Sequence, residues 1–247
     1  MARTARKESQ SGFYHVTARG NGRQIIFECD HDRRKMVDLI EDAKSACSIT
    51  VIAWCLMDNH IHLLTRADLN QLSEAMHRIG SQYAGYFNSR TGHVGHVFQS
   101  RFNSSPIEEE SHLLEAVRYI HNNPAKAGVC PVDEYFWSSY REYAGGHEGL
   151  ADTSIVLGML GGPDAFARFS KEEGAIALPY EHRTLTEEET IGVAHDALEG
   201  VLASEVKSLP KPERNACLAK LKLAGLTVRQ IERLTGIGKS TIARVTL

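Results

Sequence analysis

Two histidines one residue apart, His60 and His62, lie in an apolar run from Trp54 to Leu64. In an extended strand residues i and i+2 share a face, so both imidazoles point one way while Ile61 and Leu63 point into the opposite layer. Two imidazoles on one face are half of a metal site. An ordinary strand whose histidines hydrogen-bond locally accounts for the pair equally well, so the rest of the chain must supply a third ligand, a nucleophile and a substrate. Glu108 to His121 has helical spacing, with Leu113, Val117 and Ile120 as its core stripe. At about 100° per residue, Tyr119 falls outside that stripe, with His112 and Asn123 beside it. A tyrosine on such a shoulder most often just covers a sheet rim. Asn123 is one turn further along the same face, and an amide oxygen is an acceptable hard ligand for Mg or Mn.

The elements that must position these residues follow from periodicity. Phe13 to Arg19 alternates, with Tyr14, Val16 and Ala18 on one side and His15, Thr17 and Arg19 on the other, as a half-buried strand does. Gly20-Asn21-Gly22 is a turn, and Asp30 caps a helix that ends near Ala46. Ile49 to Met57 is a continuous apolar strand, and Asp58-Asn59 turns it back into His60 to Thr65 as a hairpin. Asn70 to Asn88 is an amphipathic helix, Val97 to Phe102 a last strand, and Pro124 the end of the following helix. This order predicts an α+β fold, a ferredoxin-like antiparallel sheet with helices on one face, followed by an all-α region.

The chain has 247 residues, 42% of them hydrophobic, enough for a large domain plus an appendage. No apolar run approaches the roughly 18 residues of a membrane span, and the first residues lack the apolar core of a signal peptide. A cytoplasmic protein with no membrane partner is expected. The five cysteines form no CxxC pair and are expected to be reduced. The net charge of -3 is uneven: residues 147–206 carry 3 Lys/Arg against 12 Asp/Glu, and residues 207–247 carry 9 against 2. A basic tail of this kind fits attachment to phosphates, and a solvated helix face fits it as well.

Residues 1–11 are expected to be disordered, 12–145 to form the body, 146–206 a helical connector and 207–247 a separate unit. That last unit resembles a helix-turn-helix: Glu213 to Ala224, then Thr227 to Leu234, a turn at Gly236-Ile237-Gly238, and Lys239 to Val245. Its third helix would offer Lys239, Ser240, Thr241 and Arg244 to a groove of duplex DNA, with Arg229 as a further contact. Gly238-Lys239-Ser240 is no nucleotide loop, because Arg233 stands where a glycine is required and no strand precedes it.

Four blocks in order carry a further resemblance: Tyr14-His15-Val16-Thr17-Ala18-Arg19-Gly20, His60-Ile61-His62, Gly95 to Phe102, and Arg118-Tyr119-Ile120-His121-Asn122-Asn123-Pro124, closed by Trp137-Ser138-Ser139-Tyr140. Together they resemble the single-tyrosine HUH transposases, most closely the REP-associated tyrosine transposase branch, over about residues 12 to 145. The resemblance implies that His60 and His62 bind a divalent metal ion, Mg or Mn, that Asn123 holds the position of the third ligand, and that Tyr119 is the nucleophile. His121 or a water is a reserve third ligand, since Asn123 directly precedes Pro124. The resemblance also implies cleavage and rejoining of single-stranded, hairpin-forming DNA through a 5′-phosphotyrosine. Arg19, Arg101 and Arg118 are candidates to contact phosphate, and an ordinary salt bridge accounts for any one of them equally well. The alternative is a non-catalytic DNA-binding regulator that retains the HUH fold. A monomer and a homodimer are both compatible with the sequence.

Overall fold

The computed structural model describes residues 6–172, 187–224, 226 and 228–245. The predicted alternation folds into β1 (Phe13–Arg19), the apolar run into β2 (Thr50–Met57), and the histidine segment into β3 (His60–Arg66). With β4 (Asn103–Ile107) they form one antiparallel sheet of order β2-β3-β1-β4. β1 and β3 are therefore central, with Arg19 opposite His60 and Thr17 opposite His62. The Asp58-Asn59 turn joins β2 to β3 as expected.

Alternation sends Tyr14, Val16, Ala18, Ile61 and Leu63 to one face, where they pack on α1 (Asp30–Ala46) and α2 (Leu69–Thr91). Cys55, Met57 and Leu64 go to the other face, beneath Leu113, Ala116, Val117 and Ile120 of α3 (Glu110–Lys126). The α+β class and the antiparallel sheet hold, but helices cover both faces rather than one. The all-apolar β2 requires this, since all but its first residue are buried.

Three boundaries differ from the sequence expectation. The last strand is Asn103–Ile107, not 97–102, because β1 has already ended at Arg19 and leaves that piece only a bridge from Phe98 to Gly20. β4 is an edge strand, which tolerates Pro106 without a backbone donor. α3 also runs past Pro124 to Lys126. Proline there removes one donor, and the Ala127 N–H to Asn123 C=O bond of 3.0 Å and the Val129 N–H to Pro124 C=O bond of 2.9 Å carry the ladder on. Finally, the expected disorder of residues 1–11 fails for 9–11: the Glu108 carboxylate accepts the backbone N–H groups of Gln10 and Ser11, which also holds its pKa below the usual range. Residues 1–5 lie outside the described residues.

The chain divides into two units, 1–181 and 182–247, and the expected connector 146–206 is split between them. In the first unit α4 (Tyr140–Gly145), α5 (Ser154–Leu160) and α6 (Pro163–Lys171) extend the α3-side core, through Tyr140, Tyr143, Val156 and Phe166. In the second unit α7 (Glu187–Leu198), α8 (Lys211–Leu223), α9 (Val228–Thr235) and α10 (Lys239–Arg244) enclose a core of Ala194, Leu198, Val206, Leu218, Leu221, Ile231, Ile237 and Ile242. Gly236, at φ +66°, supplies the left-handed turn that ends α9. All five cysteines are free, and among the described residues no helix is long and apolar enough to cross a membrane.

Candidate active site

β3 puts His60 and His62 on the α3 side of the sheet, their rings 4.9 Å apart between centroids and nearly perpendicular. β1 adds a third imidazole. His15 Nε2 lies 2.9 Å from His62 Nδ1, the diagonal neighbour across the central strand pair. His60 Nδ1 is in turn 2.7 Å from Asn59 Oδ1. With Nδ1 committed on both rings, Nε2 of each is the nitrogen left to bind a ligand. Burial pushes His15 down to about 3 and His60 down to about 4, and it holds His62 well below the usual range, with the nearby charge of Arg19 helping to lower the last two. All three imidazoles are neutral at pH 7, the form in which histidine coordinates metal.

α3 crosses above them. Its stripe of Leu113, Val117 and Ile120 fixes the helix to the sheet, which turns the Tyr119 shoulder inward over the histidines. The Tyr119 ring stands edge-on to His62 at 5.6 Å and to His15 at 5.8 Å. Asn123 donates from Nδ2 to the Tyr119 carbonyl at 3.0 Å and hydrogen-bonds with both His60 and His62. The carbonyl oxygen is the atom of Asn123 that can join the two Nε2 atoms as a metal ligand. Two neutral imidazole nitrogens and an amide oxygen on one side of the sheet fit a divalent ion of the Mg or Mn type. Lys126, two turns beyond Tyr119, holds its ammonium 4.7 Å from the Tyr119 ring centre.

The other expected residues divide. Arg19 is exposed, and its backbone lies opposite His60. Arg101 is exposed but lines a groove on the α2 side with Arg6, away from the histidine face. Arg118 is not a phosphate contact. It is buried, ion-paired with Glu115, stacked at 4.3 Å on Phe169 and bonded to the Phe169 carbonyl. His121 is not a reserve ligand either: its Nε2 lies 2.7 Å from Ser139 Oγ, and Tyr140, Tyr143 and Phe166 surround it. Asp58, a carboxylate next to the histidine segment, is drawn into an ion pair with Arg33. Sequence reasoning passes over Lys126, whose i+7 spacing from Tyr119 is the available signal, and it offers His15 only as one further candidate beside His93, His96 and His112, each more often a loop or rim residue.

In the second unit Lys239, Ser240 and Arg244 are exposed on α10, Thr241 is half-buried, and Ile242 turns into the core. Lys239 pairs with Glu232 at 3.3 Å. The side chain of Arg229 lies outside the described residues.

Residues 9–123 match the family described as IS200-like transposases. The fold is similar to that of a REP-associated tyrosine transposase bound to a REP hairpin, with 20% identity over 62% of this chain and 93% of that one, at a TM-score of 0.51. A crystal structure from Deinococcus radiodurans R1, provisionally assigned as a transposase, matches at 16% identity over 49% of this chain and 95% of that one, with a TM-score of 0.35. No sequence among the curated proteins matches the chain.

Proposed function

We propose that the chain, whose residues 9–123 match the family model of IS200-like transposases, cleaves and rejoins single-stranded DNA by transesterification at Tyr119. The observation that carries this reading is the Tyr119 ring set edge-on to His62, with Asn123 one turn along bonded to both His60 and His62. Hairpin-forming strands are the proposed substrate, by likeness to the hairpin-bound neighbour.

Tyrosine has an ordinary pKa of about 10 and is a weak nucleophile at neutral pH. The phenolic oxygen forms a bond to phosphorus as the bond from phosphorus to the 3′-oxygen breaks. This leaves a 5′-phosphotyrosine and a 3′-hydroxyl that has taken up the proton. Attack by another 3′-hydroxyl reverses the step and joins strands, so the bond energy is retained and no nucleotide cofactor is required. His60, His62 and Asn123 would hold a divalent ion, which when bound polarises the scissile phosphate and favours the phenolate. The chain itself keeps the imidazoles neutral by burial and aligned by His15 and Asn59. It also fixes the amide on the Tyr119 carbonyl and sets the Lys126 charge against the phenol ring. Arg19 orients the phosphate. Because Tyr119 stands against His62 of its own chain, cleavage by a single copy is proposed.

The C-terminal helices are proposed to read flanking duplex through Lys239, Ser240, Thr241 and Arg244, with Arg229 beside them. The deciding experiment incubates the wild type and Tyr119→Phe with end-labelled hairpin DNA and Mn, then runs denaturing gels. A covalent adduct with the wild type alone is expected. Binding without an adduct from the wild type, across hairpins of varied stem and flank, would leave a DNA-binding regulator instead.

A further inference from the structure

A second concavity lies on the opposite side of the sheet from Tyr119, a groove of about 640 Å³ between α2 and residues 95–102. Its α2 wall is made low by small residues, Ser73, Gly80, Ser81 and Ala84, and its other wall carries Phe98 and Phe102. The charged lining is of one sign. Among the described residues, Arg6 and Arg101 line it together with His77 and His96, and the lining includes no carboxylate. Arg6 is built into the wall: its guanidinium stacks 3.7 Å from the Phe102 ring centre and donates to the Phe102 carbonyl at 3.4 Å. Desolvation and the charge of Arg101 both lower the Arg6 pKa, so the two cations repel each other and an anion between them relieves both.

Apolar, aromatic walls with a cationic rim match a nucleotide, whose base is flat and whose phosphate is anionic. The groove is also tied to the histidine face through backbone. Gln99 of its wall donates to the Arg19 carbonyl at 2.9 Å, and Phe98 bridges to Gly20. Gly20 N–H in turn bonds the Asn59 carbonyl at 2.9 Å, next to His60. A β-carbon at Gly20 would come within 2.3 Å of the Gln24 carbonyl oxygen, so this junction is closed to larger residues.

We propose that this groove seats one unpaired nucleotide of the DNA strand that leaves the active site around the Arg19 edge, with its base against Phe98 and its phosphate between Arg6 and Arg101. The proposal rests on the single-strand DNA reading above and adds a second contact with the same strand. Binding of a hairpin with a single-stranded tail is compared with binding of the same hairpin without one, by fluorescence anisotropy, for the wild type, Arg101→Gln and Gly80→Leu. Gly80 meets no atom within 4 Å at its β-position, and leucine suits a helix better than glycine, so Gly80→Leu fills the groove without disturbing the fold. The wild type should bind about tenfold tighter with the tail, of the order expected for one stacked base, and each variant should forfeit most of that difference.

A tail effect equal in the wild type and both variants would overturn the proposal while leaving adduct formation by Tyr119 intact. Absence of both DNA binding and adduct from the wild type would overturn the two readings together. A change in sedimentation coefficient with Gly80→Leu in DNA-free solution would mark the groove as an interface between copies, and would also overturn it.

Discussion

At the scale of single residues, the candidate site depends on hydrogen bonds that fix which nitrogen each ring presents. His15 makes no claim to the ligand position and acts through His62 Nδ1 at 2.9 Å. Loss of such an outer partner typically weakens metal binding about 10- to 100-fold, and His15→Ala is expected to lower Mn affinity by that amount in a calorimetric titration. Unchanged affinity would show that His62 needs no orienting partner. Arg118 leads to the opposite expectation. Its buried pairing with Glu115 means that Arg118→Leu strands a carboxylate in the interior, at a cost of about 3–5 kcal/mol. Urea unfolding should register that loss, while the salt dependence of DNA binding stays that of the wild type. The sequence shows that His60 and His62 share a face, because strand alternation is strict. It cannot show where Arg118 goes, since Phe169, which captures it, lies 51 positions away.

Among the elements, α3 does two jobs with two faces, and the apolar one dictates the other. Ile120 is fully buried against the sheet, and Ile120→Ala should cost about 2–5 kcal/mol. Because the same packing sets the rotation of Tyr119, the variant should also form adduct more slowly under conditions where it remains folded, as gel time courses would report. An unaltered rate would mean that Tyr119 is positioned independently of the helix seat. The helix stripe and the three N-terminal strands are legible in the sequence because their periods are long and regular. The fourth strand is not. Val97-Phe98 looks like the better strand by composition, and Asn103-Ser104-Ser105-Pro106 like a loop, yet β1 has hydrogen-bonding room only opposite Thr17 to Phe13. The end of one strand thus decides the position of another, which no local pattern records. The connector fails for a similar reason, since the apolar residues of α5 and α6 are visible but the Tyr143 and Phe166 stack that anchors them is a tertiary fact.

On the scale of the whole molecule, the neutral buried histidines make the body sensitive to acid. Unfolded, each imidazole takes up a proton as pH falls below about 6.5, whereas His60 resists until about 4 and His15 and His121 until about 3. The unfolded chain then binds more protons, so stability is fully present above about pH 6.5 and declines by about 1.4 kcal/mol per pH unit for each such histidine as pH falls. Trp54 and Trp137 are the only two tryptophans and both belong to the first unit, so their fluorescence isolates its Tm from that of the second. A Tm that stays level from pH 7 to pH 4 would refute the neutral-histidine assignment. Truncation after residue 181, at the boundary of the two separate cores, should leave adduct formation on hairpins and flatten the salt dependence of duplex binding, with a slope smaller by about 0.9 for each phosphate no longer neutralised. An unchanged slope would remove the C-terminal helices from duplex recognition. The order of the sheet bears finally on synthesis. β1 leaves the ribosome first, yet it is central, and its two neighbours begin at His60 and Asn103. Until those segments emerge it has no ladder on either side, and such long-range pairing is slow to form. His15 therefore waits unprotected through most of the body's translation, and a nascent chain halted before α3 holds the imidazoles without the tyrosine.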